Sequence, residues 1–439
     1  MTTVTRRSLM FHHDFRQLWI GDSVSQFGTQ VSLIALPYLA VTVLGADEFE
    51  MGILGTLEYL AFLVIGLPAG AWVDRWRRQR VLIANDIVRA FALGSLPIAY
   101  YLDALTLGQL FVVALVAGTA TVFFDVAYQS YLPAIVDRKQ ITEGNSKLEI
   151  SRAVAQVAGP GLGGWMIKIL GTPLMIAVDA ASYLLSAFFV ARIAHEEPAH
   201  DKSTRRALRV EIGEGVRFVA SHPLLRRIAA CTSLFNFFTS VSAPLLILFM
   251  VRDLGFSPGV IGLIFSAGAV GGLLGAVSAT PIARWVGEGR AIPLGAFLAV
   301  PFTFFYPLAA FGPSVPLLIA AGLGMSFSVV VYNVTQVSFR QRMCPPHLLG
   351  RMNATIRFLV WGTMPVGAFV GGVIGDVFSV LTALWVAAAG SVLASLPVVL
   401  SPLVGMRELP DEYDEHREPE PERVPSTPAA GTLTEPPAS

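Results

Sequence analysis

Ionisable side chains interrupt several long apolar runs of this 439-residue sequence. Asp22, Glu58 and Asp179 each lie deep inside such a run. A carboxyl group in apolar surroundings resists ionisation and can bind and release a proton near neutral pH. We therefore interpret all three as candidate proton or substrate sites, with helix–helix hydrogen bonding as the structural alternative. Asp22 also begins a polar stripe with Gln26 and Gln30, at helical spacing, which predicts a central cavity beside it.

A second group of charges lies near the ends of the apolar runs. Structural pairing beside the lipid headgroups would explain these charges, and so would a gate built from ion pairs. In the gate hypothesis, Asp74 approaches the start of the eleventh apolar run, and Asp125 pairs with Arg75 or Arg78. The candidate gate residues are Gly70, Asp74, Arg75, Arg78, Arg80, Asp125, Arg152 and Arg357.

The composition indicates which elements must position these residues. The chain is 54% hydrophobic and 14% charged, whereas soluble domains carry roughly 25% charged residues. Much of its surface must therefore face lipid, where helices satisfy their own backbone hydrogen bonds. The runs are too long and too uniformly apolar for β-barrel strands. We predict an all-α integral membrane protein with twelve transmembrane helices, over residues 18–44, 51–73, 81–101, 106–130, 146–168, 172–192, 225–250, 257–283, 291–311, 314–338, 353–375 and 379–401.

The charges of the loops predict an orientation. Loops after even-numbered spans are rich in arginine, as at Arg75, Arg77 and Arg80, whereas loops after odd-numbered spans carry few basic residues. This asymmetry places basic loops and both termini in the cytoplasm, for a multi-pass protein of a bacterial-type inner membrane. The predicted parts are a cytoplasmic N-terminus (1–17), a six-helix bundle (18–192), a cytoplasmic linker (193–224), a second six-helix bundle (225–405) and a disordered cytoplasmic tail (406–439).

An internal repeat relates the two predicted bundles. Gly159, Gly163 and Gly164 recur 208 residues later, and Gly52 recurs as Gly262. Chance alignment of glycine-rich helices is the alternative. A true duplication predicts two pseudo-symmetric halves with a substrate site between them.

Two motifs resemble those of a known family. The segment 66–80, with Gly70, Asp74, Arg75 and Arg80, resembles the signature loop of the major facilitator superfamily, although the glycine usual after the Asp-Arg pair is absent. Small residues at Gly66 and Gly70 are expected to let a neighbouring helix pack closely.

The second motif lies in the fifth span. Its residues Gly159, Pro160, Gly163 and Gly164 are similar to the motif that marks antiporters within this superfamily. The structural alternative is a plain packing helix. Together with the segments 124–133, 214–223 and 349–353, these motifs look like the branch that holds macrolide-efflux proteins and enterobactin exporters.

The resemblance implies the major facilitator fold and multidrug-type efflux of an amphiphilic small molecule, such as a drug, a macrolide-like compound or a siderophore. It implies ion exchange, usually proton antiport, by alternating access. A lysophospholipid or nutrient transporter on the same fold is one alternative, and a non-transporting receptor or a membrane enzyme is another.

Several absences shape the remaining expectations. The sequence has no phosphate-binding loop, and its seven histidines lie outside the spans. We therefore expect no enzymatic activity, no cofactor and no metal, with a proton gradient as the energy source. The net charge of zero gives no global field for nucleic acid. The expected partners are a small-molecule substrate and membrane lipid, and the expected state is a monomer.

Overall fold

The computed structural model describes residues 9–73, 75–137, 140–195, 208–344 and 349–407. Its regular elements are helices, in agreement with the predicted fold class. The helices are α1 (His13–Thr42), α2 (Glu48–Val73), α3 (Arg78–Tyr101), α4 (Leu107–Ile135), α5 (Ile141–Leu170), α6 (Thr172–Ala191), α7 (Leu208–Ser221), α8 (Pro223–Leu248), α9 (Pro258–Val286), α10 (Glu288–Leu308), α11 (Ser314–Met343), α12 (Leu349–Val377) and α13 (Val380–Val399).

Each predicted span matches one long helix, but most helices are longer than the apolar run. The predicted run 146–168 lies within α5, Ile141–Leu170. The helix extends beyond the apolar residues, because helical hydrogen bonds form between backbone groups whatever the polarity of the side chains. Glycine conformation and side-chain capping then fix where some of the helices begin and end. Gly171 takes a φ of +83° between α5 and α6, and the Thr106 side chain accepts from the Gln109 amide at the start of α4.

Eleven helices in the described part of the chain are long and apolar enough to span a membrane. The remaining long helix, α5, carries a charged first half that includes Glu143, Lys147, Glu149 and Arg152. Its second half is apolar up to Lys168 in the last turn, and the whole helix of 30 residues is as long as α4, which has 29. The charges of α5 therefore belong to the end of the bundle where the arginine-rich loops lie.

The predicted linker contains the short helix α7. Arg351 at the start of α12 forms an ion pair with Glu214 of α7. Val219 of α7 is buried against the base of the second half. The predicted boundaries of the linker and of the two bundles stay predictions, and the tail from residue 408 lies outside the described residues.

The long helices form two halves with matching contacts. In the first half (α1–α6), α1 packs on α5 and α6, α3 packs on α4 and α6, and α2 packs on α4. In the second half (α8–α13), α8 packs on α12 and α13, α10 packs on α11 and α13, and α9 packs on α11. Each of these pairs is the counterpart of a pair in the other half. The largest contacts between the halves, α2 with α12 and α5 with α9, are counterparts too.

Glycine contacts show the same duplication at single residues. Gly163 of α5 lies against Val31 of α1, and Gly371 of α12 lies against Val241 of α8. The partners are offset by 210 residues where the glycines are offset by 208. Chance alignment of glycines along a sequence would not reproduce their partners in space, so the repeat is a structural duplication.

We predict that Gly371→Ala destabilises the second half. A Cβ at this position would lie 2.9 Å from the Val241 Cα, inside the normal contact distance. Forced overpacking costs about 1–3 kcal/mol. The melting temperature of the purified protein in detergent should fall by several degrees.

The control is Gly108→Ala, near the start of α4, where the new methyl group would meet only the Thr106 hydroxyl oxygen, at an ordinary contact distance of 4.0 Å. In a helix alanine is favoured over glycine by about 1 kcal/mol, so this variant should melt at or slightly above the wild-type temperature. Equal melting of both variants would contradict the packing assigned to Gly371.

Candidate functional site

A large polar cavity lies between the two halves at the end that carries the arginine-rich loops, here called the basic end. Its volume is about 840 Å³. A second lobe of about 290 Å³ shares Gln129, Arg357 and Trp361 with it, so we describe the two lobes together as the central cavity. The lining includes acidic, basic, amide and aromatic side chains: Asp22, Asp125, Tyr128, Asn145, Glu149, Arg152, Phe62 and Asn353 in addition to the three shared residues.

The opposite end, here called the far end, is closed by two helix crossings in which backbone meets backbone. Gly164 of α5 lies against the Pro258 carbonyl oxygen of α9, and Gly262 of α9 lies against the Pro160 carbonyl oxygen of α5. In the counterpart crossing, a Cβ on Gly52 of α2 would lie 2.5 Å from the Cα of Gly372 in α12. Side chains of any size would separate these helices, so glycine is required for the seal.

An arginine that the sequence analysis did not select reinforces the far end. Arg252 follows α8 in a π-helical turn, Phe249–Asp253. Its guanidinium donates to the carbonyl oxygens of Gly45 and Ala46 at 3.0 and 2.6 Å, and it lies 3.8 Å from the Glu48 carboxylate. It thus joins the second half to the loop before α2. An isolated basic residue in the otherwise arginine-poor loops was the available signal.

Asp22 is the deep carboxyl group that reaches the central cavity. It is 3% exposed and lines the cavity beside Tyr128, and the Gln26 amide donates to it at 3.3 Å. The predicted polar stripe does not continue along the cavity. Gln26 and Gln30 are absent from the lining of the cavity, and Gln30 packs its carbon chain against Gly159 of α5. Their role as site residues stays a prediction.

Asp179 lies inside the first half, where hydroxyl groups surround it. The hydroxyls of Ser32 and Ser182 both donate to its carboxylate, the second at 3.1 Å. Gly28 of α1 leaves the space that this carboxyl group occupies. This arrangement matches the helix–helix alternative, and Asp179 is absent from the lining of the central cavity.

An ion pair connects these two acids within the first half. Arg89 of α3 donates to Asp86 at 2.5 Å, and both residues are buried. The Arg89 guanidinium lies between the rings of Phe124 and Tyr183, 4.2 and 4.3 Å from their centres. Aromatic faces stabilise a desolvated cation. Asp86 lies in electrostatic range of Asp22, and Arg89 lies in range of Asp179, so the four residues form one buried charge network. Arg152 lies in range of Asp22 at the cavity and adds a second cation to it.

Glu58 is not connected to this network. Its backbone carbonyl lies against Gly118 where α2 crosses α4. Within the described part of the chain, no hydrogen-bond or ion-pair partner of its carboxyl group is found. It is also absent from the lining of the central cavity.

The candidate gate residues fall into different places. Asp125 of α4 lies 4.0 Å from Arg357 of α12, so its partner comes from the opposite half and not from Arg75 or Arg78. Arg357 also lies over the Trp361 ring at 4.6 Å. Arg152 lines the cavity. Arg75 and Arg80 are exposed at the basic end, and Asp74 lies outside the described residues.

Gly66 and Gly70 correct the expectation of a close helix contact. A Cβ at either position would meet no atom within 4 Å, and both residues line the central cavity. The reason is that α2 and α12 touch near Gly52 and separate toward the basic end. In contrast, the glycines of the motif Gly159–Gly164 do lie at helix contacts: Gly159 and Gly163 pack on α1, and Gly164 packs on α9.

Comparisons with known proteins agree over most of the chain. The family model described as Major Facilitator Superfamily matches residues 18–363. The multidrug efflux pump Tap of Mycolicibacterium fortuitum is 28% identical over 365 residues, covering 80% of this chain and 86% of that protein. Macrolide efflux protein A of Streptococcus pyogenes is 20% identical over 404 residues, covering 90% and 97%. A bacterial homologue of the iron transporter ferroportin, solved in an inward-facing state, aligns with a TM-score of 0.73 at 17% identity, covering 89% and 98%. These matches extend through both halves.

We predict that Gly262→Ala weakens the seal at the far end. Its Cβ would lie 3.0 Å from the Pro160 carbonyl carbon, so α5 and α9 must separate. An overpacking cost of about 1–3 kcal/mol should shift the protein toward a state closed at the basic end. Both native cysteines, Cys231 and Cys344, are buried. In a background without them, maleimide labelling of Ala153→Cys in the cavity should slow several-fold.

Gly259→Ala on the same helix provides the control, because its methyl group would meet open space. Labelling in this variant should proceed at the wild-type rate. If Gly262→Ala left labelling unchanged or accelerated it, the α5–α9 crossing would not control access to the central cavity.

Proposed function

The chain belongs to the Major Facilitator Superfamily, and from this premise we propose that it is a secondary active exporter that exchanges amphiphilic small molecules for protons. The central cavity carries this proposal. It lies between two pseudo-symmetric halves, opens at one end and is sealed at the other. Members of the family bind small-molecule substrates and work as single chains, in keeping with the expected monomer.

The orientation follows from loop charge. Basic residues concentrate at the basic end, as at Arg77, Arg80 and Arg290, and the positive-inside rule assigns such loops to the cytoplasm. Both termini then lie in the cytoplasm, and the structure corresponds to an inward-open state of a bacterial inner-membrane protein. A substrate would enter the central cavity from the cytoplasm or the inner leaflet.

The direction of transport is supported by the relatives. Tap is named a multidrug efflux pump, and macrolide efflux protein A is named for macrolide efflux. The cavity lining suits an amphiphile, because Trp361 and Phe62 form an aromatic wall, with ring centres 4.5 Å apart, beside the Asp125 carboxylate. Drugs, macrolide-like compounds and siderophores share this combination of apolar rings and polar groups.

The buried charge network supports proton coupling. Asp86 and Asp179 share one guanidinium, that of Arg89, within the interior of the first half, whereas Asp22 lies in electrostatic range of the Arg152 guanidinium. Full ionisation would place three carboxylates beside two guanidinium groups and leave one uncompensated negative charge, in a medium where buried charge is costly. One removable proton in this network would balance the charge. Asp22 is its acidic member in contact with the cavity, where water and substrate can reach it.

Exchange follows if proton and substrate compete for Asp22. A substrate entering from the cytoplasm displaces the proton, and a proton from outside displaces the substrate after the halves rock. Protonation of Asp22 and binding of substrate both change the charge between the halves. The Asp125–Arg357 ion pair lies across the same boundary between the halves. Glu58 stays a candidate for a second proton, because its carboxyl group lies in a membrane helix with no partner among the described residues.

We predict that Asp22→Asn uncouples transport from the proton gradient. The amide resembles the protonated acid in shape but cannot release a proton. In proteoliposomes, pH-gradient-driven accumulation of ethidium or erythromycin should fall to the level of empty liposomes. Exchange of labelled for unlabelled compound at equal pH should persist, because it needs no proton transfer.

Asp376→Asn is the matched control, because Asp376 is an exposed carboxylate at the far end of α12. It should retain gradient-driven accumulation. If Asp22→Asn accumulated these compounds as the wild type does, Asp22 would have no part in coupling. If the pH gradient moved neither ethidium nor erythromycin in the wild type, proton exchange would be contradicted.

A further inference from the structure

The duplication allows the two halves to be compared position by position. The buried charge network of the first half has no charged counterpart in the second. Offsets of 210 residues pair Asp22 with Thr232, Asp86 with Ala296 and Arg89 with Ala299. An offset of 208 residues pairs Asp179 with Ala387.

Contacts around these positions verify the pairing. Gly28 lies against Ser182 in the first half, and Phe238 lies against Gly390 in the second. The residues of α1 and α8 are offset by 210, and those of α6 and α13 by 208. The same two helix faces therefore meet in both halves, with a glycine and a larger residue exchanged between them.

The counterparts of Asp22, Asp86 and Arg89 border a small space of about 40 Å³, whereas the counterpart of Asp179 borders a larger one. A cavity of about 200 Å³, here called the second-half pocket, lies between α8, α9, α10, α11 and α13. Ala387 lines it at the place where Asp179 fills the first half. The wall is formed largely by three aromatic rings and a thioether, those of Phe238, Phe265, Tyr306 and Met325. No ionisable carboxylate or basic group is among its lining residues.

The hydroxyl groups that line the pocket differ in the strength of their hydrogen-bond partners. The hydroxyl oxygens of Thr303 and Ser391 lie 2.8 Å apart, and each hydroxyl also lies within hydrogen-bond distance of a backbone carbonyl oxygen of its own helix. The Tyr306 hydroxyl has a weaker partner, the Met325 sulfur at 3.8 Å. A thioether is a poor acceptor. One strong donor inside an uncharged aromatic cavity is thus available to an incoming oxygen.

We propose that the second-half pocket binds an uncharged aromatic part of the transported molecule through its rings, with an oxygen acceptor placed on the Tyr306 hydroxyl. This inference rests on the proposed function, since the pocket becomes a substrate subsite only in a transporter. It divides the tasks between the halves. The first half titrates, and the second half selects by shape and by one hydrogen bond.

Benzophenone tests this assignment directly, because it is an uncharged pair of rings with one carbonyl oxygen and inserts into nearby C–H bonds on illumination. The full chain in liposomes is photolabelled over a range of concentrations, and the adducts are located by peptide mapping. We expect a saturable adduct at Met325. A benzophenone that carries a trimethylammonium group should label Met325 at least ten-fold less.

Two variants separate volume from hydrogen bonding. Ala387→Phe fills the pocket and should abolish the Met325 adduct, whereas Leu393→Phe, on the lipid-exposed face of the same helix, should retain it. Tyr306→Phe keeps the volume, and should raise the half-saturating benzophenone concentration by about five-fold through the lost hydrogen bond. Competition by diphenylmethane, which lacks the oxygen, should be unaffected by this variant.

Labelling requires no gradient, so the outcomes are distinct from those for transport. Non-saturable labelling of Met325 would contradict binding in the second-half pocket, and so would equal labelling in the wild type and Ala387→Phe. Neither result would contradict proton-driven transport. A saturable Met325 adduct in a protein without proton-driven transport would retain the pocket and refute the exchange mechanism. An unchanged half-saturation in Tyr306→Phe would remove the hydrogen bond from the assignment.

Discussion

The structure depends on the close approach of two helix pairs at one end of the bundle. Where Gly164 meets Pro258 and Gly52 meets Gly372, backbone packs on backbone across the boundary between the halves. Lipid offers no hydrophobic drive for helices to associate, so such packing is a main source of attraction. Because both crossings lie at the far end, the halves diverge toward the basic end and enclose the central cavity. Each crossing seals the far end in this state, and in the proposed transport cycle it would act as a hinge between the halves.

The sequence predicts features that depend on composition and on repetition. The number of membrane helices follows from the length of the apolar runs, and the matching glycines follow from the repeat. The position of Asp22 at the cavity follows from the helical spacing of polar residues in the first run. Features set by helix rotation or by conformational state do not. Gln30 turns toward α5, Gly70 faces open space, and Asp125 finds Arg357, which is 232 residues away. The contacts of Arg252 could not be predicted, because its partners lie in a loop of the other half that is distant in the sequence.

Duplication with divergence explains how one scaffold contains two kinds of interior. Helix pairs, glycine contacts and the two crossings are retained in both halves, because each is needed to hold helices together in lipid. Side chains behind that framework are free to differ. The first half fills its interior with Asp86, Arg89 and Asp179, whereas the second leaves an uncharged space beside Ala387. The proposed proton site and the proposed substrate pocket thus lie in different halves.

Pulsed electron spin resonance on two label pairs tests alternating access most directly. One pair, Ser130→Cys with Ser338→Cys, reports the basic end, and the other, Leu102→Cys with Phe311→Cys, reports the far end. Both are made in the background without Cys231 and Cys344. When pH is lowered or substrate is added, the account predicts that one distance shortens while the other lengthens. Distances that stay fixed under all conditions, or that change in the same direction at both ends, would contradict it.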